Sequence, residues 1–410
     1  MSEPRLAIFD DLLGRWGPLT RLRPIFDQRT AMRTFRQRIE RTLGQAAEAV
    51  SVEEPLIPVQ AARESDAAVN EPLPPGDWLI VAGRWDGLTD AETVRGLAMG
   101  QALLDAAGAL VAARLDAEVA DTVLRRGTTA LPDGLDATAS ESTLPTRPWH
   151  LLNALPQTLT ADLAEPGLSP ADQTDMPGVT VLGQHPVYLG QGVAVRPGAV
   201  LNAEQGPIAL DRGACVQPLA LVEGPCFVGR NSEVAGHGYL RPSVAIGPGC
   251  KMGGELARAI VQSHSNKAHD GYLGDSLIGS WCNLGAGTTA SNLKNTYGHM
   301  RVQLEPDASP EETGRRRQGA ILGDLVRTAI GTRLLTGSVI GTGCMIATSG
   351  FAPRIAPPLG FYTDQGRAEH DPESLIALAD WMKQKTHRAL AAGEAAILRG
   401  LARRNRAEIV

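Results

Sequence analysis

An aliphatic residue recurs at every sixth position through the middle of the chain, and this period limits the fold more than any other feature. A period of six fits neither the roughly 3.6-residue repeat of a helix nor the alternation of a long strand. It fits a parallel β-helix, in which each hexad forms one flat side and three hexads, about 18 residues, complete a triangular coil. Eight successive positions follow the period without a slip: Leu210, Val216, Val222, Val228, Val234, Leu240, Ile246 and Met252.

The period extends beyond this run on both sides and predicts a parallel β-helix over residues 181–360. An interruption at 292–320 is polar, charged and contains proline, so we interpret it as a loop that leaves the coil. The further hexad positions are Leu189, Val195 and Leu201 before the run, and Tyr272, Ile278, Leu284, Leu322, Thr328, Leu334, Ile340 and Ile346 after it.

The flanking residues follow other patterns. Residues 1–165 combine two strand-like segments, "RLAIFDD" and "DWLIVAG", with a helical spacing of apolar residues over 30–50, and this mixture predicts an α/β domain. The segment "ALLDAAGALVAARLD" predicts two strands, or a strand and a helix, around Gly108. Residues 164–180 form a predicted linker, and Asp371 followed by Pro372 begins a predicted C-terminal helix over 371–410.

Charge and cysteine content argue against several classes of protein. The 410-residue chain has a net charge of −6 and lacks a cluster of basic and aromatic residues, so we expect no nucleic-acid partner. Its five cysteines form no Cys-x-x-Cys pair, which favours packed thiols over disulfides or a metal site. No run of roughly 18 apolar residues and no signal-like N-terminus occurs, so we expect a cytoplasmic protein with no membrane partner.

One polar segment within the repeat carries a family resemblance. Residues 267–292, "KAHDGYLGDSLIGSWCNLGAGTTASN", resemble the acyltransferase domain of bifunctional sugar-1-phosphate nucleotidyltransferase/acetyltransferases. A related branch, described as sugar nucleotidyltransferases, is more similar, because there the string continues as "SNLKN" and a later coil ends in Gly-Phe-x-Pro, here within "SGFAPRIAPP". The resemblance implies a left-handed β-helix that forms a homotrimer and transfers an acyl group from acetyl-CoA to a sugar phosphate or nucleotide-sugar, as in N-acetylation of glucosamine-1-phosphate.

The resemblance also implies roles for single residues. N-acetylation needs a general base, donors for the developing oxyanion and cations for the sugar phosphate. His269 matches the base, and the ordinary histidine pKa of about 6.5 suits that role. Tyr272 and Asn283 match residues beside the sugar or the oxyanion. The remaining implied substrate-binding residues are Arg241, Arg258, Lys267, Asn292 and Lys294.

This sequence departs from the family pattern at two lysines. The lysine expected upstream of the histidine is Ala257 here, with Arg258 beside it as a substitute. The lysine expected after the second asparagine is out of register, although Lys294 is near. We therefore expect the acceptor to differ from glucosamine-1-phosphate.

The first domain resembles the start of sugar nucleotidyltransferases through "GPLTRLRPIFDQRTAMRTFRQRIERTLG", residues 17–44. Active members follow the first strand with Gly-x-Gly-Thr-Arg, whose backbone N–H groups bind nucleotide phosphates. Here that place holds "DDLLGRWGPLTRLRP", and the chain has no lysine before Lys251. Arg21 and Arg23 are then the candidate nucleotide-binding cations. Asp10 or Asp11 would bind the Mg²⁺ that an active domain needs.

Three alternatives remain from sequence alone. The chain could be a sugar-1-phosphate nucleotidyltransferase, similar to a UDP-N-acetylglucosamine diphosphorylase, whose β-helix serves mainly for oligomerisation. It could be a zinc carbonic anhydrase, for which His264 and His269 have suitable spacing but His237, 27 positions before His264, is out of phase with the coil. It could also be a non-catalytic trimeric scaffold, with His269 a surface residue and Asn283 and Asn292 stacked at coil corners.

Overall fold

The structure is a computed structural model that describes residues 3–64, 66–126, 134–171 and 176–407. The first domain is a seven-stranded mixed sheet with the order β3-β2-β1-β4-β6-β5-β7. The first four strands in this order run parallel, β6 is antiparallel to both its neighbours, and β7 is parallel to β5. The strands are β1 Arg5–Phe9, β2 Ala49–Ser51, β3 Ala68–Val69, β4 Asp77–Ala82, β5 Gln101–Leu104, β6 Leu110–Asp116 and β7 Asp136–Ala139.

The helices of this domain correct one sequence-based prediction. The predicted helix over 30–50 is α1, Phe35–Leu43, which begins at a capping box between Thr34 and Gln37 and ends at Gly44, with φ +73°. The residues that follow enter the sheet as β2. Gly108, with φ +79°, turns the chain between β5 and β6, so the two-strand alternative is right. The other helices are α2 Ile57–Ala61, α3 Ala91–Arg95, α4 Ala117–Arg126 and α5 Pro148–Ala164.

The second domain is a left-handed parallel β-helix with three flat faces. Face 1 contains Val187–Leu189, Ile208–Leu210, Cys226–Val228, Val244–Ile246, Ala259–Val261, Leu277–Ile278, Ile321–Leu322, Val339–Ile340 and Ile355–Ala356, preceded by antiparallel Ser169–Pro170. Face 2 contains Ala194–Val195, Cys215–Val216, Glu233–Val234, Lys251–Met252, Asn266–Lys267, Asn283–Leu284, Arg327–Thr328, Met345–Ala347 and Gly360–Thr363, followed by antiparallel Gly366–Glu369. Face 3 contains Thr180–Leu182, Val200–Asn202, Leu221–Glu223, Tyr239–Leu240, Glu255–Ala257, Tyr272–Gly274, Thr289–Ala290 and Arg333–Leu334.

The hexad residues stack inside the coil as the sequence predicts, except near Tyr272. On face 3, Leu256 pairs in register with Leu273, and Leu273 pairs with Ala290. Leu273 is therefore the inward residue, and Tyr272 points outward. The reason is a frame change, since the inward Ile278 follows the inward Leu273 after five positions instead of six.

First-domain residues and the insertion cover face 1 and the edge between faces 3 and 1. The outward side chains of Phe227, Ile260 and Ile321 on face 1 join the hydrophobic core of the first domain. The insertion predicted at 292–320 does leave the coil, with antiparallel strands Arg301–Val302 and Glu311–Glu312. It also contacts the first domain, where Arg147 donates to Glu311 at 2.5 Å.

The predicted single C-terminal helix is two helices, α6 Pro372–Gln384 and α7 Ala392–Ala407. Asp371 caps the first of them by accepting from the Ser374 N–H at 2.9 Å. Leu375 in α6 packs close to Gly343 at the edge between faces 1 and 2, and α7 contacts α2 of the first domain. No helix in the described ranges is long and apolar enough to cross a membrane.

The edge between faces 2 and 3, called edge 2–3 below, stays open to solvent. Its corners comprise residues 196–199, 217–220, 235–238, 253–254, 268–271, 285–288 and 329–332, followed by Phe351 at its end. Three large apolar side chains along it are exposed: Leu219 at 58%, Ile330 at 79% and Phe351 at 60%. Edge 2–3 is thus the region where the β-helix is available to a ligand or a second chain.

Candidate functional site

His269 lies on edge 2–3, in the corner that joins the face-2 strand Asn266–Lys267 to the face-3 strand Tyr272–Gly274. Its side chain is exposed. Within the described part of the chain, no hydrogen bond or ion pair engages the imidazole ring. The backbone is held, because the His269 carbonyl accepts a hydrogen bond from Lys267 Nζ at 2.8 Å. The corner therefore presents an available ring on a fixed backbone.

A shortened corner lies directly beneath His269. Only Gly253 and Gly254 separate the face-2 and face-3 strands there, whereas the neighbouring corner 235–238 has four residues. A Cβ on Gly253 would lie 2.4 Å from the carbonyl oxygen of Ala268, and a Cβ on Gly254 would lie 2.5 Å from that of Gly271. We call this glycine corner, with the corners above and below it, the notch. The slip in the hexad period at 252–256 is its sequence signal.

Lys267 does not face a substrate, which corrects its sequence-based assignment. It is 1% exposed and occupies the inward position of face 2, in register with Met252. Its ammonium group donates to the carbonyls of Gly253 at 3.2 Å, His269 at 2.8 Å and Asp270 at 2.9 Å. Burial lowers the pKa of Lys267 to about 8. Lys267 therefore links the notch to the His269 corner from inside the coil.

Tyr272 and Asn292 meet on the outer surface of face 3. Asn292 Nδ2 donates to the Tyr272 hydroxyl at 3.0 Å and to Asp275 Oδ2 at 2.8 Å. Asp275 is 3% exposed and also accepts from Arg315 at 2.7 Å. Burial, followed by the charge of Asp275, raises the pKa of Tyr272, so its hydroxyl stays protonated at neutral pH. The roles of Asp275 and Arg315 were missed from sequence, although Asp275 lies inside the family string.

The two predicted phosphate-binding arginines lie on or beside face 3, each near one carboxylate. Arg241 contacts Glu255 at 3.1 Å, and Arg258 lies 3.8 Å from Asp275. Both side chains are about half exposed, at 48% and 50%. A guanidinium group has five N–H donors, so one carboxylate leaves others free for a phosphate.

The structure separates two predicted site residues from this group. Asn283 lies on face 2, where its Oδ1 accepts from Asn266 Nδ2 at 3.0 Å. Lys294 donates to the carbonyl of His299 at 2.6 Å, within the insertion. The structure therefore brings Tyr272, Asn292 and Arg258 together through Asp275, and the His269 corner lies at the other end of the strand Tyr272–Gly274. Lys294 folds back onto its own loop.

Arg21 and Arg23, the predicted nucleotide-binding cations, are each paired with a carboxylate outside the first domain. Arg21 pairs with Glu305 of the insertion at 2.5 Å. Arg23 is 7% exposed and pairs with Asp324 of the β-helix at 2.5 Å, with a second hydrogen bond to Ser280 at 3.0 Å. The segment that binds phosphates in nucleotidyltransferases here docks the first domain on the β-helix.

The two carboxylates proposed to bind Mg²⁺ are engaged by other groups of the protein. Asp11 is 3% exposed and forms a buried ion pair with Arg84 at 2.8 Å. Asp10 accepts backbone N–H groups from Leu12 and Ile25, and burial raises its pKa to about 6. Among the described residues, no three His, Cys, Asp or Glu side chains are grouped as metal ligands would be. The residues present therefore do not fit a preformed Mg²⁺ site.

A cavity of about 400 Å³ nevertheless lies where β1, β2 and β3 end. The carboxyl ends of parallel strands are the usual ligand-binding edge of an open α/β sheet. The titratable residues that line it are Asp10, Glu53, Glu54, Glu71, Asp121 and Arg125. This excess of carboxylates repels nucleotide phosphates.

The zinc carbonic anhydrase alternative does not fit the geometry. His264 lies at the edge between faces 1 and 2, where its ring stacks on Trp281 with centroids 4.2 Å apart. His269 lies on edge 2–3, at the other end of the strand Asn266–Lys267. The two rings therefore project from different edges of the coil.

The fold and the site together define a two-domain chain with a hexapeptide β-helix, and comparisons with known proteins agree with this class. The family model described as sugar nucleotidyl transferase matches residues 6–165. One relative is the bifunctional protein GlmU of Acaryochloris marina, which is 26% identical over 30% of this chain and 31% of the relative. The bifunctional protein GlmU of Methanocaldococcus jannaschii is 30% identical over 27% of each chain. A bifunctional sugar-1-phosphate nucleotidylyltransferase/acetyltransferase of Sulfurisphaera tokodaii is 34% identical over 25% of this chain and 26% of the relative.

Two solved structures show partial likeness to this chain. An Arabidopsis UDP-N-acetylglucosamine acyltransferase matches at 15% identity and a TM-score of 0.22, over 49% of this chain and 76% of its own. A hexapeptide transferase family protein from Anaplasma phagocytophilum matches at 15% identity and a TM-score of 0.15, over 55% and 99%. The three curated relatives are matched over 26% to 31% of their length. The chain therefore resembles the bifunctional nucleotidyltransferase/acetyltransferase family, and the comparisons indicate a transferase.

Proposed function

We propose that the β-helix transfers an acyl group from acetyl-CoA to an amino or hydroxyl group of a sugar phosphate or nucleotide-sugar, with His269 as the general base. The observation that carries this proposal is the exposed, unengaged imidazole beside the notch, on the open edge of the coil. A general base must reach the acceptor proton, and the pKa of an ordinary histidine, about 6.5, suits neutral pH.

The reaction can be written with these residues. The acceptor nitrogen or oxygen attacks the thioester carbonyl carbon while the imidazole of His269 takes the acceptor proton. The tetrahedral intermediate then collapses, the carbon–sulfur bond breaks, and the thiolate leaves with the proton that His269 returns. The products are the acylated sugar and free CoA, so atoms and charges balance.

The neighbouring polar groups suit the acceptor. The protonated Tyr272 hydroxyl, positioned by Asn292, is a donor for the sugar or the oxyanion. Arg241 and Arg258 supply guanidinium donors for the sugar phosphate at the same surface. Asn283 lies on face 2 and fits a donor on the acyl-donor side of the corner.

We also propose a homotrimer whose subunits meet along edge 2–3. Exposed Leu219, Ile330 and Phe351 line that edge above and below the notch, and such side chains favour burial against another surface. A partner coil there would form the second wall of a groove for acetyl-CoA. A cytoplasmic location is consistent with these substrates.

The test is thiol release from acetyl-CoA with glucosamine-1-phosphate and a panel of amino-sugar phosphates. We expect His269→Ala to lower the rate at least a hundredfold, within the usual contribution of general-base catalysis, about 10²–10⁴-fold. The control is His185→Ala, because His185 is also exposed but lies far from the notch in sequence. An absence of both thiol release and acetyl-CoA binding would overturn the proposal.

A second candidate is sugar-1-phosphate nucleotidyl transfer in the first domain, similar to a UDP-N-acetylglucosamine diphosphorylase. The family match to residues 6–165 favours it, whereas the carboxylates that line the cavity at the strand ends oppose it. Its test is pyrophosphate release from UTP and N-acetylglucosamine-1-phosphate in the presence of Mg²⁺. Pyrophosphate release without any thiol release would make this the main activity and leave oligomerisation to the β-helix.

A further inference from the structure

A cavity of about 920 Å³ lies at the edge between faces 1 and 2, where the first domain meets the β-helix. Three parts of the chain line it: residues 29–41 of the first domain with 166–168 directly after that domain, the coil corners at the edge between faces 1 and 2, and residues 386–388 between α6 and α7. Small-molecule sites usually occupy about 300–1,000 Å³ and lie where domains meet. We call this space the interdomain cavity.

Positive charge dominates the wall of the interdomain cavity. Five arginines line it, and the single lining carboxylate among the described residues is Asp211. Two of the five, Arg33 and Arg41, pair with carboxylates. The other three have no carboxylate partner within the described ranges, and each comes from a different part of the wall: Arg29, Arg230 and Arg388.

Arg29 is the most constrained of these cations. It is 8% exposed, and its side chain donates to the carbonyl of Met32 and lies 5.8 Å from the Phe227 ring. Burial lowers the pKa of Arg29 to about 10, so the guanidinium is still charged at neutral pH. The carboxylates of Asp162 and Asp211 favour its charged form, but neither forms a direct ion pair with it in the described structure. An anion in the cavity would supply a direct counter-ion.

His264 adds a strained polar group to the same wall. The corners here place a residue in the left-handed region; this position is glycine in four coils, as at Gly249 with φ +68°, and is Asn231 or Leu325 in two others. In two adjacent coils it is His264 with φ +59° and Trp281 with φ +61°, and their rings stack. Both ring nitrogens of His264 are buried without a hydrogen-bond partner in the described structure. The unpartnered ring nitrogens, and not the backbone conformation that all these corners share, make His264 a candidate ligand contact.

We propose that the interdomain cavity binds the diphosphate group of a small molecule, either inorganic pyrophosphate or a nucleoside diphosphate. Arg29, Arg230 and Arg388 bind the phosphoryl oxygens, and His264 donates one N–H. Three separated cations and this volume suit two linked phosphates better than one. Because the ligand contacts all three parts of the wall, its binding stabilises the docking of the first domain on the β-helix. The site is separate from the acyl-transfer site, since His269 lies on edge 2–3.

The test measures binding to the full chain by calorimetry and thermal unfolding at constant ionic strength. The probes are inorganic pyrophosphate, UDP and orthophosphate. The variant is the double substitution Arg230→Gln and Arg388→Gln, because both side chains are exposed and their loss spares the core. The matched control is Arg196→Gln with Arg354→Gln, which removes the same charge from exposed positions outside the cavity.

We expect pyrophosphate and UDP to raise Tm, with orthophosphate at least tenfold weaker. We expect the cavity variant to lose affinity at least tenfold, the control to stay within twofold, and His269→Ala to bind as wild type. UDP binding tighter than pyrophosphate would identify a nucleotide as the ligand, and equal binding would identify the inorganic anion. Three outcomes would overturn the proposal. They are wild-type affinity of the cavity variant for both UDP and pyrophosphate, equal losses of affinity in the cavity variant and the control, and no binding of either probe to the wild type.

Discussion

Lys267 donates its ammonium group to the carbonyl oxygen of His269 at 2.8 Å, from inside the coil. The same nitrogen reaches the carbonyl of Gly253 in the coil below, at 3.2 Å. A buried cation therefore joins the shortened glycine corner to the corner that presents the proposed base. In the proposed acyl transfer, Lys267 positions the backbone and His269 contacts the substrate.

Replacing Lys267 with methionine separates these roles. Methionine fits the inward column, where Met252 lies in register, but it leaves three carbonyls without their donor. We expect kcat for acyl transfer to fall about tenfold with KM changed less, because a lost interaction of about 1.4 kcal/mol corresponds to that factor. The control is Lys251→Met, which removes an exposed lysine paired with Glu233. Equal kcat in both variants would show that Lys267 does not position the base.

The buried Lys267 should also make the free energy of unfolding depend on pH. Its pKa of about 8 in the folded chain lies below the ordinary 10.5, so between these values the unfolded chain binds more protons. Stability therefore rises with pH through this window, relative to a chain without the lysine. At about 1.4 kcal/mol per pKa unit, the upper limit is about 3 kcal/mol. Urea unfolding of wild type and Lys267→Met from pH 7 to 10 measures it, and parallel curves would contradict the prediction.

The hexad period made much of the β-helix predictable, because one inward residue per flat side is a local signal that repeats. Tyr272 was misplaced because the inward residues Leu273 and Ile278 are five positions apart instead of six, and only the strand register shows that Leu273 is inward. Lys267 was not recognised as a core residue because a lysine within a polar segment is usually exposed.

The docking of the two domains had no local signal in the sequence. Arg23 and Asp324 are 301 positions apart, and nothing near either residue specifies the other. The same holds for Arg315 and Asp275 beneath Asn292. The family string identified the residues around His269 but not these partners, because long-range pairing depends on how the first domain rests on face 1.

The notch predicts a steric effect at a single glycine. Gly253→Ala would place a Cβ 2.4 Å from the Ala268 carbonyl oxygen, whereas Gly350→Ala, at the end of the same edge, meets no atom within 4 Å. We expect Gly253→Ala to shift the His269 corner, to lower stability by about 1–3 kcal/mol and to reduce acyl transfer at least tenfold. Gly350→Ala should change neither quantity measurably. Wild-type rates in Gly253→Ala would show that the notch is not part of the site.

The Arg23–Asp324 contact predicts how strongly the first domain is held. Both side chains are buried and 2.5 Å apart, so removing one leaves an uncompensated charge. We expect Arg23→Ala to lower the free energy of unfolding by about 3–5 kcal/mol, and the double variant with Asp324→Ala to lose less than the sum of the single losses. Arg301→Ala, which breaks an exposed pair with Glu312, should cost less than about 1 kcal/mol. Strictly additive losses in urea unfolding would mean that the two charges do not interact across the domain boundary. The arginine would then stabilise its own segment alone, and the phosphate-binding role that sequence suggested for it would have to be tested again with nucleotide.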